Sequence, residues 1–317
     1  MSNSNSVHVG QHGWMFLTGG SNHVIDFYTI EGGRIDPNII SGWADLIIHR
    51  SENFSQKGIQ YVHLFVPEKL TIYPEFFNGE LPHFNSHPLA QLSAHFSRRA
   101  ASNGVRKTVI NPIEYFREQK KHFDLYWKTD THWRFEGCYS AYQLICKKLG
   151  LSPLKDLHHR PYSEGMISFD LGGKLDPPVR EKGRFYDFTY KAKRIGRNNI
   201  VKYKEQHCLE NEEMLHVGSN VVFENHHADA IDAKVILFGD SFSEYRPNLL
   251  TGMLAETFRE LHFIWSISLD NSYIENTRPD IVISESAERF MTKLPADDFN
   301  LEEYSNKKLK ALRSNQI

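Results

Sequence analysis

Apolar residues recur every three or four positions in several segments of the chain, which is the spacing of an amphipathic helix. The clearest segment is Phe135 to Leu149, and Gly150 follows it at the position where glycine often ends a helix. Ser41 to Gly58 has a similar pattern. Pro88 to Asn103, with Gly104 as its cap, is predicted as a third helix.

Short runs of β-branched and aromatic residues alternate with these helices and are typical of buried strands. Helical segments are also predicted after the runs Lys234–Phe238 and Leu261–Ile267. Strands that alternate with helices indicate a mainly parallel sheet covered on both faces, so we expect a three-layer α/β/α fold. The predicted strands are Ile59–Val66, Val105–Ile110, Lys234–Phe238, Leu261–Ile267 and Asp280–Ser284.

The regular alternation is interrupted between residues 151 and 232, where glycine, proline and histidine pairs are frequent. We predict that this stretch is an irregular insertion that carries some antiparallel β-structure. The sequence shows no internal repeat and no long linker. One domain over residues 1–290, followed by a charged helix or tail over residues 291–317, is therefore the simplest interpretation.

Composition excludes several classes of protein. The 317 residues are 40% hydrophobic and 24% charged, as in ordinary globular proteins, and the net charge of -2 favours neither nucleic acid nor an anionic membrane as a partner. No apolar run reaches the roughly 18 residues of a membrane helix. The polar N-terminus has no secretory signal, so we expect a cytoplasmic protein, or a periplasmic one if the sequence has been trimmed. The three cysteines are predicted to be reduced.

Candidate chemistry begins where the predicted strand Lys234–Phe238 runs into Gly239, Asp240 and Ser241. A serine that opens a helix at the carboxyl end of a parallel strand exposes its hydroxyl above the sheet, beside backbone N–H groups that can stabilise an oxyanion. The alternative is that Asp240 or Ser241 only caps the following helix.

Asp130 and His132 are candidate partners of this serine. Two residues apart in an extended segment, their side chains point to the same side, so the carboxylate could orient the imidazole while the second ring nitrogen faces the hydroxyl. The alternative is a helix cap formed by Asp130 with an exposed histidine. Other histidines, such as His83 and His87, do not form a recognisable zinc motif, and we expect no functional metal.

The motifs together resemble the alginate O-acetyltransferase group of the SGNH hydrolase superfamily, the AlgJ/AlgX-like proteins that acetylate bacterial exopolysaccharides. The most specific part is the Asp-Thr-His-Trp block at residues 130–133 followed by Gly-Asp-Ser-Phe at residues 239–242. The resemblance also includes residues 13–17, 67–69, 72–75, 126–129, 170–172, 279–285 and 288–289.

The resemblance implies an SGNH-like fold with Ser241 as nucleophile, His132 as general base and acid, and Asp130 as the orienting carboxylate. Their order along the chain is permuted relative to ordinary SGNH hydrolases. The implied function is O-acetylation of a bacterial polysaccharide or its sugar precursor through an acyl-enzyme. The alternatives are a carbohydrate acetylesterase and a carbohydrate-binding or assembly protein without catalysis.

Further residues are candidates for the pocket around this triad. The N–H of Ser241 would serve an oxyanion hole, with Tyr245 or the backbone of Gly172 and Gly173 as the second donor. The alternative for Tyr245 is a packed side chain. Trp127 and Trp133 would either stack on a sugar or belong to the core. Lys69 and Tyr73, which follow a predicted strand, would line the pocket, or be a solvated lysine and a packed tyrosine. Glu285 with Arg289 would form a buried structural pair, with contact to substrate as the alternative.

We expect no bound cofactor. The acceptor is expected to be a carbohydrate, and the acetyl donor stays open between an acyl-donor protein and acetyl-CoA.

Overall fold

The computed structural model describes residues 6–20, 22–98, 107–210, 212–246 and 248–314. Among the described helices, none is long and apolar enough to cross a membrane. The helices are α1 Asp26–Thr29, α2 Pro37–Gln56, α3 Lys69–Ile72, α4 Pro88–Arg98, α5 Ile113–Gln119, α6 Phe135–Leu149, α7 Asn199–His207, α8 Leu250–Thr257, α9 Asn271–Thr277 and α10 Leu301–Ser314. The strands are β1 Val7–Val9, β2 Met15–Leu17, β3 Gln60–Val66, β4 Val109–Ile110, β5 Tyr162–Ile167, β6 Glu181–Tyr186, β7 Lys193–Arg197, β8 Asn220–Glu224, β9 Ile231–Gly239, β10 Phe258–Trp265 and β11 Ile281–Ala287.

The central sheet has seven strands in the order β4-β3-β11-β9-β10-β8-β7. The first five are parallel to one another, whereas β8 and β7 are antiparallel to their neighbours. Two small antiparallel hairpins, β1-β2 and β5-β6, lie outside this sheet. The last strand, β11, pairs between β3 and β9.

Alternating side chains of the central strands enter two separate parts of the core. Ile236, Phe238 and Val282 belong to a cluster with Phe54 of α2 and Ile274 of α9. Their neighbours in the strands, such as Leu237 and Ile283, belong to the larger cluster, which also contains Met253 and Leu254 of α8 and Ile145 of α6. The sheet is thus buried on both faces, and the predicted three-layer α/β/α fold is confirmed.

The regular elements agree closely with the sequence pattern. Helix α6 begins and ends where the periodicity predicts, and Gly150 caps it in the left-handed conformation with φ of 75°. The predicted antiparallel structure between residues 151 and 232 is present, but β7 and β8 of this stretch extend the central sheet. The end of the predicted helix Pro88–Asn103, its cap Gly104 and the start of the predicted strand Val105–Ile110 lie outside the described residues.

The predicted helix at Ser241 is wrong. Residues 241–246 form turns and bends, and the next helix, α8, begins only at Leu250. Pro247 in the sequence explains the delay, because proline lacks an N–H donor and disfavours the helical conformation of the residue before it. The division of the chain into residues 1–290 and 291–317 stays a prediction, and Leu309 of α10 packs with Ile200 and Tyr203 of α7.

Strands β3, β9 and β11 bring their carboxyl ends to one edge of the sheet, and the residues that follow them form a buried polar layer. Glu288, just after β11, illustrates its density. One carboxylate oxygen accepts from the N–H of Glu68 at 2.9 Å and the hydroxyl of Thr71 at 2.8 Å. The other accepts from His87 at 2.5 Å and the N–H of Leu89 at 3.1 Å. Glu288 therefore ties two segments, residues 68–71 and 87–89, to this edge.

We predict that Glu288→Ala lowers the free energy of unfolding by about 3–5 kcal/mol, because it leaves four buried donors without their acceptor. Urea denaturation measures this loss. Glu52→Ala, at an exposed position of α2, is the control and should change stability by less than about 0.5 kcal/mol. Equal stability of the two variants would contradict the prediction.

Candidate active site

Ser241, His132 and Asp130 form one hydrogen-bonded series at the carboxyl edge of the sheet. Nε2 of His132 lies 2.8 Å from Oγ of Ser241, and Nδ1 lies 2.7 Å from Oδ1 of Asp130. The structure therefore brings together the three residues that the sequence singled out. With Nδ1–H donating to the carboxylate, Nε2 is free to accept the serine proton.

The loop that carries Asp130 and His132 is not the extended segment that the sequence suggested. Residues 130–132 form a bend, in which Oδ1 of Asp130 also accepts the backbone N–H of His132 at 3.0 Å. This is an Asx turn, a conformation that aspartate favours. One carboxylate oxygen thus holds both the backbone and the ring of His132, and α6 starts later, with Arg134 as its N-cap and no side-chain capping bond.

Asp170 and Glu181 fix the same loop from outside and were not among the predicted site residues. Asp170 accepts the N–H of Thr131 at 2.8 Å and its hydroxyl at 2.6 Å. Glu181 accepts both the N–H and the hydroxyl of Thr129, each at 3.0 Å. The Asp170-Leu171-Gly172 block was the available sequence signal for Asp170, whereas no motif pointed to Glu181.

The turn that carries Ser241 is held by two buried carboxyl groups. Asp240 accepts the N–H of Phe242 at 2.9 Å and that of Ala287 at 2.7 Å. Glu285 of β11 accepts the N–H of Asp240 at 3.1 Å and the hydroxyl of Ser243 at 2.8 Å. A Cβ atom on Gly239 would lie 2.8 Å from Cβ of Ser243 and 2.9 Å from the Glu285 carboxyl, so glycine is required at this close approach.

The charges of the site are strongly perturbed. Burial disfavours the ionised form of Asp130, but the charge and hydrogen bonds of His132 outweigh it and lower the pKa of Asp130 far below its ordinary value. Burial likewise disfavours the imidazolium, yet Asp130 raises the pKa of His132 above its usual range. Burial, together with the charge of Asp240, raises the pKa of Glu285 well above its ordinary value.

Two of the predicted second oxyanion donors, the N–H groups of Gly172 and Gly173, are not available. The N–H of Gly172 donates to Thr129 at 3.0 Å and that of Gly173 donates to Phe169 at 2.7 Å, so neither N–H is open for a substrate. The prediction of these two glycines as oxyanion donors was therefore wrong. Tyr245 is half-buried, and its ring lies near Phe263. Within the described residues, the N–H of Ser241 has no protein acceptor.

The two tryptophans beside the triad are both buried. Trp133 is 1% exposed and packs edge-on against Phe242, which excludes it as a stacking platform for a sugar. Trp127 is also buried, stacks with Phe169 and lies under the guanidinium of Arg134 at 4.6 Å. The core is therefore correct for Trp133, whereas Trp127, although buried, also lines a cleft together with Arg134.

Lys69 and Tyr73 do not line a pocket. Tyr73 is a packed tyrosine whose hydroxyl accepts the N–H of Leu125 at 2.8 Å. Lys69 is neither solvated nor open to a ligand: it is 3% exposed, and its ammonium donates to backbone carbonyls of the loop that precedes His132.

The predicted pair of Glu285 with Arg289 is also wrong. Arg289 instead makes a bidentate pair with Glu68, at 2.6 and 3.1 Å. Its guanidinium lies 5.6 Å above the ring of Phe242, which in turn packs against His132 with 4.8 Å between ring centroids. A buried cation thus lies beside the residue that follows the candidate nucleophile.

Asp130, His132 and Asp170 offer possible metal-ligand atoms within 4.8 Å of one another. Both ring nitrogens of His132 are already paired, with Asp130 and Ser241, so the arrangement fits proton transfer better than metal binding.

A serine, an imidazole and a carboxylate in series, above the carboxyl ends of a three-layer sheet, form an arrangement that serine-dependent hydrolases and acyltransferases share. The chain belongs to the family of the SGNH hydrolase-like domain of acetyltransferase AlgX, whose family model matches residues 7–267, and it is accordingly an acetyltransferase. A comparison with curated protein sequences gives no significant match.

Solved structures share this fold at low sequence identity. PatB1 of Bacillus cereus, carrying a sulfonyl adduct, is 15% identical with a TM-score of 0.57, and the match covers 92% of this chain and 100% of that one. The O-acetyltransferase domain of Pseudomonas putida AlgJ is 16% identical with a TM-score of 0.55, over 96% and 99% of the two chains. A DHHW family protein from Eubacterium siraeum is 15% identical with a TM-score of 0.53, over 96% of each chain.

We predict that Asp130→Asn lowers the pKa of His132, because the carboxylate that stabilises the imidazolium is removed, and that it reduces turnover by about 10⁴-fold. NMR titration of the imidazole measures the first effect and steady-state kinetics the second. Asp187→Asn is the matched control, since Asp187 forms an Asx turn onto Thr189. An unchanged pKa of His132 in Asp130→Asn would show that the pairing is absent in solution.

Proposed function

We propose that this enzyme acetylates hydroxyl groups of a bacterial polysaccharide, or of its sugar precursor, through a covalent acetyl-Ser241 intermediate. The observation that carries the proposal is the hydrogen-bonded series from Ser241 through His132 to Asp130, with 2.8 and 2.7 Å contacts. Membership of the acetyltransferase family supports the acetyl group, and the resemblance of the sequence motifs to exopolysaccharide acetyltransferases supports the acceptor.

In the first half-reaction, Oγ of Ser241 attacks the carbonyl carbon of the acetyl donor while Nε2 of His132 takes its proton. The negative charge that develops on the carbonyl oxygen is stabilised by the N–H of Ser241. The bond to the donor's leaving group then breaks, and the imidazolium returns the proton to that group. Asp130 stabilises the imidazolium between these steps.

In the second half-reaction, a sugar hydroxyl replaces the leaving group. His132 takes its proton as the oxygen attacks the acetyl carbonyl, and the ester bond to Ser241 breaks with return of the proton to Oγ. Water in place of the sugar would make the enzyme an esterase. The sugar must therefore compete with water for the same acetyl group, which requires an acceptor site close to His132.

A cleft of about 230 Å³ next to the loop is our candidate for this acceptor site. Its lining includes Arg134, two residues beyond His132, together with Lys182 and Arg184 of β6 and the rings of Trp127, Phe135 and Tyr186. Cationic donors beside aromatic rings suit the hydroxyls and apolar faces of a saccharide. The acceptor class stays a proposal.

We predict that Ser241→Ala nearly abolishes acetyl transfer, with a loss on the order of 10⁶-fold, because no acetyl-enzyme can form. Mass spectrometry after incubation with p-nitrophenyl acetate should find one acetyl group on Ser241 in the wild type and none in the variant. Ser97→Ala, on α4, is the control, and its Ser241 should be acetylated as in the wild type. Full activity in Ser241→Ala would contradict the mechanism, and release of acetate alone in the presence of glycan would favour an esterase. Absence of labelling in the wild type would favour a binding protein.

We predict that Arg184→Ala raises the KM for the acceptor about tenfold, the effect of losing about one hydrogen bond, and leaves the rate of acetyl-enzyme formation unchanged. Transfer kinetics at varied glycan concentration, with a burst assay for the first step, separate the two. Arg180→Ala, at an exposed position before β6, is the control. A changed burst rate with an unchanged KM would exclude the cleft as the acceptor site.

A further inference from the structure

Lys69 has an unusual position for a charged side chain. It is the first residue of α3, directly after β3 and the Pro67-Glu68 dipeptide, and it is 3% exposed. Its ammonium lies 5.8 Å from the ring centroid of Trp14 and 5.6 Å from that of Phe16, so apolar groups pack against it. A lysine is rarely buried this far unless its charge is paired.

The partners of this ammonium are three carbonyl oxygens of one turn. Nζ of Lys69 donates to Trp127 at 2.9 Å, to Lys128 at 3.0 Å and to Asp130 at 2.6 Å. An ammonium group has three N–H donors and no acceptor, so its whole donor capacity is used within this turn. The carbonyl of Thr129, the remaining one in the turn, accepts the N–H groups of Leu171 and Gly172 instead.

The same turn delivers the groups that act on Ser241. The backbone of Asp130, held by Lys69 at its carbonyl, continues into the carboxylate that contacts both the N–H and the ring of His132. Lys69 itself is fixed to the end of β3, a neighbour of β11, which pairs on its other side with β9, the strand that leads to Ser241. The ammonium thus connects the loop of the base to the sheet that carries the nucleophile.

We propose that the three-donor ammonium of Lys69 is a positioning element of the active site, which sets the turn Trp127–Asp130 and so keeps His132 in hydrogen-bond reach of Ser241. The inference rests on the proposed function, because it assigns Lys69 a part in the proton transfer between His132 and Ser241. Lys69 has no role in binding substrate, because its donors are used by backbone carbonyls and its surroundings are apolar.

The charge of Lys69 is itself sensitive to pH. Burial lowers the pKa of Lys69 to about 7, although the carboxylates of Asp130, Asp170 and Glu181 act against this, while Arg289 adds to it. Deprotonation would remove one of the three N–H donors and leave a carbonyl facing a lone pair. Activity should then decline on the alkaline side as well as on the acidic side, where His132 becomes protonated.

The test compares Lys69→Met and Lys69→Arg with the wild type. Methionine keeps the length and removes the donors, whereas arginine keeps the charge but offers a planar fork in place of a tetrahedral donor. Lys120→Met is the matched control, because Lys120 also donates to a backbone carbonyl, that of Ile72, outside the turn. Circular dichroism in the near ultraviolet verifies that each variant is folded.

Two readouts do not need a glycan. The first is the rate at which phenylmethylsulfonyl fluoride modifies Ser241 as a function of pH. The second is the NMR signal of the proton between His132 and Asp130. We expect Lys69→Met to lose about 10²-fold in the modification rate, to lack the alkaline decline of the wild type, and to shift or broaden the proton signal. Lys69→Arg should be slowed at least tenfold, and Lys120→Met should behave as the wild type.

The inference would be overturned if Lys69→Met showed the same modification rate, pH profile and proton signal as the wild type. If that variant does not fold, the same result in Lys69→Arg would overturn it. A wild type that reacts with the sulfonyl fluoride but does not acetylate glycan would contradict the proposed function alone. A wild type that does not react would also contradict the proposed function, and the proton signal of His132 would then decide the role of Lys69.

Discussion

The pairing of Asp130 with His132 is the interaction on which the rest of the site depends. A carboxylate that is 8% exposed has lost most of its hydration and needs compensation to stay ionised. His132 supplies this compensation twice, from its backbone N–H and from its ring. In return, the carboxylate fixes the orientation of the imidazole ring and makes the imidazole a stronger base. The charge and the geometry of the site therefore have the same origin.

This pairing is useful only because three strand ends meet at one edge of the sheet. Strand β9 leads to the nucleophile, β3 leads to Lys69, and β11 lies between them and contributes Glu285 and the segment from Glu288 to Arg289. The side chains of Lys69, Glu285 and Glu288 each form hydrogen bonds with backbone groups of another segment. Arg289 instead pairs with the carboxylate of Glu68, just after β3. Buried polar groups are costly when unpaired, so a network of this kind favours a single arrangement of the loops.

The sequence predicted the elements whose signal is local. The periodicity of Phe135–Leu149 and the following Gly150 were sufficient for α6, and the motifs at residues 130–132 and 239–241 named the three groups that meet. The helix expected at Ser241 was wrong because it was inferred from the strand and the Gly-Asp-Ser turn, without regard to Pro247. The residues that sequence could not place are those whose partners lie far along the chain. The N–H groups of Gly172 and Gly173 were misjudged because their acceptors depend on loop packing, and Arg289 was assigned to Glu285 because the approach of the β3 end, with Glu68, was not visible.

The most direct measurement of the central claim compares two titrations of the wild-type enzyme. One is the NMR titration of the His132 imidazole, and the other is the acid side of the pH dependence of Ser241 modification by a sulfonyl fluoride. If His132 is the base for Ser241, the two should share one pKa, above the ordinary histidine value of about 6.5. A modification rate that does not follow the ionisation of His132 would contradict the account.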